Sequence, residues 1–158
     1  MPSPEHIATL TASIATNLIV TNTTVHVLGK KSTSLREYYA RLNGIAVALD
    51  ITSLTWGVLL AQRFAKGSVG QIAAAVVIQL VHDVSFGWWL RRSTVKRPTL
   101  DLFRNYAAEH GTGILKVDAV FMVVAVVLSR VFRKLSPHDN ALVGTMALYT
   151  HLLLLDAL

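Results

Sequence analysis

The sequence contains no cysteine, which excludes disulfides, thiolate metal ligands and thiol nucleophiles and leaves the redox compartment unmarked. Charge is scarce too. Lys, Arg, Asp and Glu make up 15% of 158 residues, where a soluble domain carries roughly a quarter. The opening MPSPEHIATL has no cationic leader and no small-residue cleavage site, so no cleaved signal peptide is expected. There is no GxSxG, no HExxH, no phosphate-cradling glycine loop and no potassium-filter string, so the usual motif-borne chemistries have no foothold.

What the chain does have is apolar length. Hydrophobic residues reach 53% and fall in blocks of about 20, the length that crosses a bilayer as a helix. The expected fold is therefore all-α, a polytopic integral membrane bundle of four or five transmembrane helices in a single domain. The helices are expected at about 7–28, 35–64, 69–91, 111–132 and 140–156, with a short interfacial helix at 99–110. The first segment is rich in Thr and Ser and contains Asn17, Asn22 and His26, so it either spans or lies along the surface as an amphipathic helix. Ser32 and Ser34 are candidate caps for the helix that begins near Leu35, and Thr99 for the interfacial one.

The net charge of +6 raises the question of nucleic acid. The basic residues sit between apolar blocks, however, and alternate in number from one connector to the next. Lys30, Lys31, Arg36, Arg41, Arg91, Arg92, Lys96, Arg97 and Arg104 gather on one side; Arg63, Lys66, Arg130, Arg133 and Lys134 gather on the other. Nine against five makes the first side cytoplasmic and places the N-terminus outside and the C-terminus inside. The partner is thus a bilayer, with no role for nucleic acid. Arg91, Arg92, Lys96 and Arg97, with Tyr106 and Glu109 on the neighbouring helix, are candidates for contact with lipid head groups.

An internal repeat accompanies this pattern. LREYYARLNG (Leu35–Gly44) aligns with LFRNYAAEHG (Leu102–Gly111), pairing Tyr39 with Tyr106 and Gly44 with Gly111. One inserted residue after the glycine then pairs Asp50 with Asp118 and Val58, Leu60 and Phe64 with Val126, Leu128 and Phe132. Each unit would be a lead-in, a span bearing an aspartate, and a return helix, repeated in parallel about the membrane normal.

Ionisable groups inside apolar spans are costly, which makes Asp50, Asp83 and Asp118 the focus, with His82 and Gln79 beside Asp83. Their offsets from the basic flanks put the three carboxyls at one depth, roughly 10 to 14 Å in from the same side. Gln71, Ala75, Gln79, Asp83 and Gly87 form a stripe at i, i+4; Ser53, Gly57 and Ala61 share a face with Asp50, as Ala125 and Ser129 do with Asp118. Small and polar stripes face protein rather than lipid, so the three carboxyls should converge. They suit a proton or cation path, while protonated aspartates holding helices together is the structural alternative. A zinc site on His82 lacks ligand spacing, a di-iron bundle lacks its Glu-x-x-His pattern, and a haem would rest on His82 and His151 alone. Lys116 lies too near the interface for a retinal lysine. No cofactor, metal site or catalytic group is assigned.

LREYYARLNGIAVALD, QLVHDVSFGWWL and DLFRNYAAEHGTGILKVDAVFM together resemble small multi-pass membrane proteins encoded by large DNA viruses of algae and protists. Tyr39 with Asp50, the His82–Asp83 pair, and Asp101, Tyr106, Gly111 and Asp118 carry the likeness over most of Leu35–Leu128. It implies membrane placement and no particular chemistry. The functional expectation is a small oligomeric channel or transporter for protons or cations. An intramembrane enzyme on a lipid or isoprenoid, with His82 and an aspartate as acid–base pair, is one alternative. A structural or accessory subunit of a larger membrane complex is the other.

Overall fold

In a computed structural model, described over residues 3–27 and 32–156, all regular structure is helical. The elements are α1 (Pro4–Val27), α2 (Thr33–Leu42), α3 (Gly44–Phe64), α4 (Ser68–Arg92), α5 (Pro98–His110), α6 (Gly113–Phe132) and α7 (Pro137–Asp156). The basic pair Lys30–Lys31 and the junction at Leu28 lie outside the described residues.

The helix expected over 35–64 is two helices. Asn43 takes a left-handed φ of 38° and its N–H closes on Tyr39 O at 2.7 Å, ending α2 and redirecting the chain into α3. Asn tolerates that conformation because its short polar side chain suffers least there among residues with a Cβ. Ser32 caps α2, its hydroxyl accepting from Leu35 N–H at 3.1 Å. Thr99 has no such role: α5 begins one residue earlier, with Pro98 in the first turn where a missing N–H costs nothing.

α1 is the centre of the bundle, packed against α3, α6 and α7. α4 packs on the other side of α3 and α6, and α2 packs on α5. The first segment is packed inside the bundle, with its polar face against the other helices. Thr9, Ser13, Thr16 and Asn17 have no exposed surface at all, and Thr11 and Thr21 are buried with them. Small side chains let the neighbouring helices approach closely, as where Gly144 of α7 meets Thr11. Thr11 also donates to Asn140 O at 3.0 Å, and Asn140 Nδ2 donates to the carbonyls of Phe132, Leu135 and Ser136, fixing the turn from α6 into α7.

The outward faces are the apolar ones. Ile45, Trp56 and Phe64 on α3, Val77, Val81 and Val84 on α4, Val120 and Val127 on α6, and Leu142 and Met146 on α7 are all exposed. α3 and α4 are each long and apolar enough to cross a membrane.

Contacts fix which ends lie together. Glu5 at the start of α1 pairs with Arg133 after α6 at 2.7 Å. Gln62 near the end of α3 donates to Thr9 and Ser129, and Arg130 donates to Gln71 at the start of α4. At the opposite end Ser32 meets His110, Ser34 meets Glu109, and Asn22 meets His151. The helices thus alternate in direction, and the described members of the two basic sets separate to opposite ends of the bundle.

The two segments share a backbone bend, in a register one residue away from the sequence alignment. Asn43 (φ 38°, ψ −119°) and Gly111 (φ 53°, ψ −132°) occupy the same bend, each with its N–H bonded four residues back. From that hinge one constant offset pairs Tyr38, not Tyr39, with Tyr106 and keeps Asp50 with Asp118, without an insertion. It also pairs Leu54 with Met122, Gly57 with Ala125, Val58 with Val126 and Ala61 with Ser129, and all eight are buried. The return helices break the symmetry: α4 packs on α3 and α6, whereas α7 packs on α1.

Candidate functional site

Asp50 lies six residues into α3 and Asp118 five into α6, about 8 to 9 Å from the starts of their helices. Tyr39 Oη donates to Asp50 at 3.2 Å and Tyr38 Oη at 3.4 Å, so the short helix before α3 supplies the donors for the carboxylate within it. Asn17 of α1 is fully buried beside Asp50, with its amide on the carboxyl side, and its Oδ1 accepts from Thr21 at 3.5 Å. Thr21 also reaches Tyr39 Oη at 3.5 Å.

Asp83 comes from α4 and faces the same region, with its side chain 12% exposed. Gln79 Nε2 donates to its Oδ1 at 2.7 Å, and His82 Nδ1 lies 3.0 Å from the same oxygen. Oδ2 is buried, and the Asp118 carboxyl is the group beside this side chain. The carboxyl of Asp118 lies within hydrogen-bonding reach of Asp83, and Asp50 is close enough to act on it electrostatically. The three aspartates therefore converge. A hydrogen bond between the Asp83 and Asp118 carboxyls needs one hydrogen between them, since two carboxylates offer only acceptors.

His82 is outside this interior. Its side chain is 58% exposed and its ring stacks on Phe86, 6.3 Å between centroids. Consecutive residues on a helix point about 100° apart, so Asp83 facing inward turns His82 to the flank.

The two short helices close one end. Tyr38 and Tyr106, the counterparts in the two units, stack with centroids 6.3 Å apart and planes 22° from parallel. Tyr106 is carried inward rather than left at the rim. Burial, then the carboxylates of Asp118 and Asp50, pushes its phenol well above the ordinary range, so it remains an O–H donor. Arg92 lies over Trp88, 4.2 Å from the ring, and Arg91, Lys96 and Arg97 are exposed beside it.

Glu109 is engaged at the start of α2, where its carboxylate accepts the Ser34 N–H at 2.9 Å. The Ser34 hydroxyl beside it and that N–H hold its carboxyl down at about 2, below the usual 4.5. A depressed carboxyl stabilises the docking of α5 on α2 fully above pH 4.5 and loses that contribution as pH falls towards 2. Glu109→Gln is expected to flatten the fall in thermal midpoint across that window for the detergent-solubilised protein. An unchanged pH profile would refute the assignment.

Sequence reasoning finds the three aspartates and Gln79 but misses Tyr38 of α2 and Thr16, Asn17 and Thr21 of α1. The signal was available: Thr9, Ser13, Asn17 and Thr21 recur at i, i+4, the same spacing that marks the stripe on α4. Among the described residues no group of three or more metal-ligating His, Asp or Glu side chains has the geometry for a metal ion. Comparison with protein-family models, curated proteins and solved structures finds no match for this chain.

Proposed function

We propose that the chain is an integral membrane protein of five crossing helices, α1, α3, α4, α6 and α7, that moves protons or small cations through the carboxyl cluster of Asp50, Asp83 and Asp118. The membrane part rests on an inverted distribution of polarity, with Thr, Ser and Asn at the centre and Ile, Val, Leu and Trp outside. A large exposed apolar surface needs a cover, and lipid covers all of its sides at once. With the more basic end cytoplasmic, the N-terminus lies outside and the C-terminus inside.

The transport part rests on one observation above the others: carboxyls from three separate helices meet inside the bundle, beside Tyr38, Tyr39 and Asn17. Carboxyls gathered at one place repel one another when ionised, so the site suits an occupant that brings positive charge. Carboxyls and phenols suit a proton or a hydrated cation, which they hold by charge and by exchangeable hydrogens. Tyr38, Tyr39 and Tyr106 would hand hydrogen bonds to whichever carboxyl is ionised.

The test is flux in liposomes of purified protein, with a pH-sensitive dye inside and an imposed potential. Dissipation faster than in protein-free vesicles, and slower in Asp83→Asn, supports transport. Flux equal to that of empty vesicles under both proton and alkali-cation gradients overturns it.

A further inference from the structure

The interior is polar at two levels and dry between them. The acid level holds Asp50, Asp83, Asp118 and Asn17. The second, at the opposite end, holds Gln62, which donates to Thr9 and Ser129 at 3.4 Å each, and, as a separate pair, Gln71 with exposed Arg130 at 3.2 Å. Between them lie Leu54, Val58, Met122 and Val126 of α3 and α6, all buried. Met122 follows Asp118 by one turn, about 6 Å along the axis. Its thioether end rests on Gly57, so closely that a Cβ added to the glycine would collide with it.

Among the described residues, α1 is what carries polar groups across this dry level. Its hydroxyls have an obvious bland use, since Ser and Thr in membrane helices bond back to their own backbone and permit close packing. Ser13 does this, donating to Thr9 O at 3.0 Å. Thr16 does not: it is fully buried and its Oγ1 has no partner. A fully buried hydroxyl without a partner on α1, one residue from the Asn17 that sits beside the cluster, is what a water-lined passage needs and a packing seam avoids.

We infer that the seam between α1, α3 and α6 is a water-accessible proton route inside a single chain, closed at Met122. The inference deepens the transport reading and rests on it for direction and cargo. Met122 suits the part because an unbranched thioether has three rotatable bonds, and the glycine opposite leaves it room to lie flat or swing away. Closed, it makes a short apolar constriction of the kind that gates by excluding water. Swung off Gly57, it joins the acid level to Thr16, Ser13 and Thr9, and through them to the Gln62 level. The path then needs no oligomer to enclose it.

The absence of native cysteine permits a clean accessibility test in the full chain. Single variants Asn17→Cys and Ser129→Cys, reconstituted in liposomes, are treated with silver ion from one face at a time. Asn17→Cys is expected to react from one face only and Ser129→Cys only from the other. Adding Met122→Ala is expected to make each reactive from both faces and to raise proton flux several-fold; Met122→Leu, which keeps the bulk, should restore sidedness. Asn17→Cys inert from both faces overturns the route, and sidedness unchanged by Met122→Ala overturns the closure. The two readings fail separately: sided labelling without wild-type flux keeps the seam and removes transport. Flux lost in Asp83→Asn with an inert Asn17→Cys keeps transport and removes the seam.

Discussion

Asp118→Asn is expected to bring proton flux in liposomes down to the level of protein-free vesicles while leaving the thermal midpoint in detergent at or above that of the native chain. Asparagine keeps the shape of the side chain and brings its own N–H donors to Asp83, whose carboxyl lies beside it. It also removes one member of a crowded acidic group and replaces the shared hydrogen with a fixed N–H, so the fold loses no bond. A proton carrier loses its exchangeable site. The opposite pattern follows if the aspartates only hold helices together: asparagine would then serve equally well, and flux would be untouched. Asp118→Leu separates the cases further, because it strands Asp83 beside a side chain with no donor. Leaving a buried acceptor unsatisfied costs about 1–3 kcal/mol, so the leucine variant should be less stable than the asparagine variant by about that much. Native flux in Asp118→Asn, Asp83→Asn and Asp50→Asn alike would sink the transport reading.

Gly57→Leu is expected to yield no monodisperse protein, whereas Gly57→Ala remains folded and is rescued by a second change on the facing helix. The Cβ of alanine meets the flexible end of Met122, which can rotate aside; the remaining atoms of leucine would have to displace the backbone of α6. Overpacking by a few atoms in a tight core typically costs about 1–3 kcal/mol, and a full leucine against a packed helix costs more. Met122→Ala opens the space that the added methyl group needs, so the double variant should lie well above the sum of the two single losses. Unfolding midpoints of the four proteins in detergent give the coupling directly. Strict additivity would mean that Gly57 and Met122 do not touch.

Much of the site was legible because period 4 is unambiguous on a long helix. Gln71, Ala75, Gln79 and Asp83 announce an inward face from spacing alone, and the structure buries Gln71, Ala75 and Gln79 and turns Asp83 to the same side. The central helix was harder to read because hydropathy ranks a segment by its fitness for lipid. α1 meets mostly protein, so Thr, Ser and Asn cost it little and its true importance is hidden from an apolarity scale. The single-residue slip in the repeat has a local cause. Tyr38 and Tyr39 are adjacent, so either can be set against Tyr106, and only the bend at Asn43, matched by Gly111, decides between them. His82 stands next to a buried aspartate in sequence, yet helical rotation puts it on the flank. Glu109 gave no sign of its task, because its partner, the Ser34 N–H, belongs to a helix 75 residues away.

A duplicated architecture has one consequence for the traffic it could carry. Had both halves been complete copies, the interior would have looked the same approached from either carboxyl. The fourth helix supplies Asp83 once, and no twin in the seventh answers it, so Asp118 has a carboxyl neighbour that Asp50 lacks. Parity is broken at the level where the carboxyls sit, and the side of the bundle that carries Asp118 is chemically unlike the side that carries Asp50.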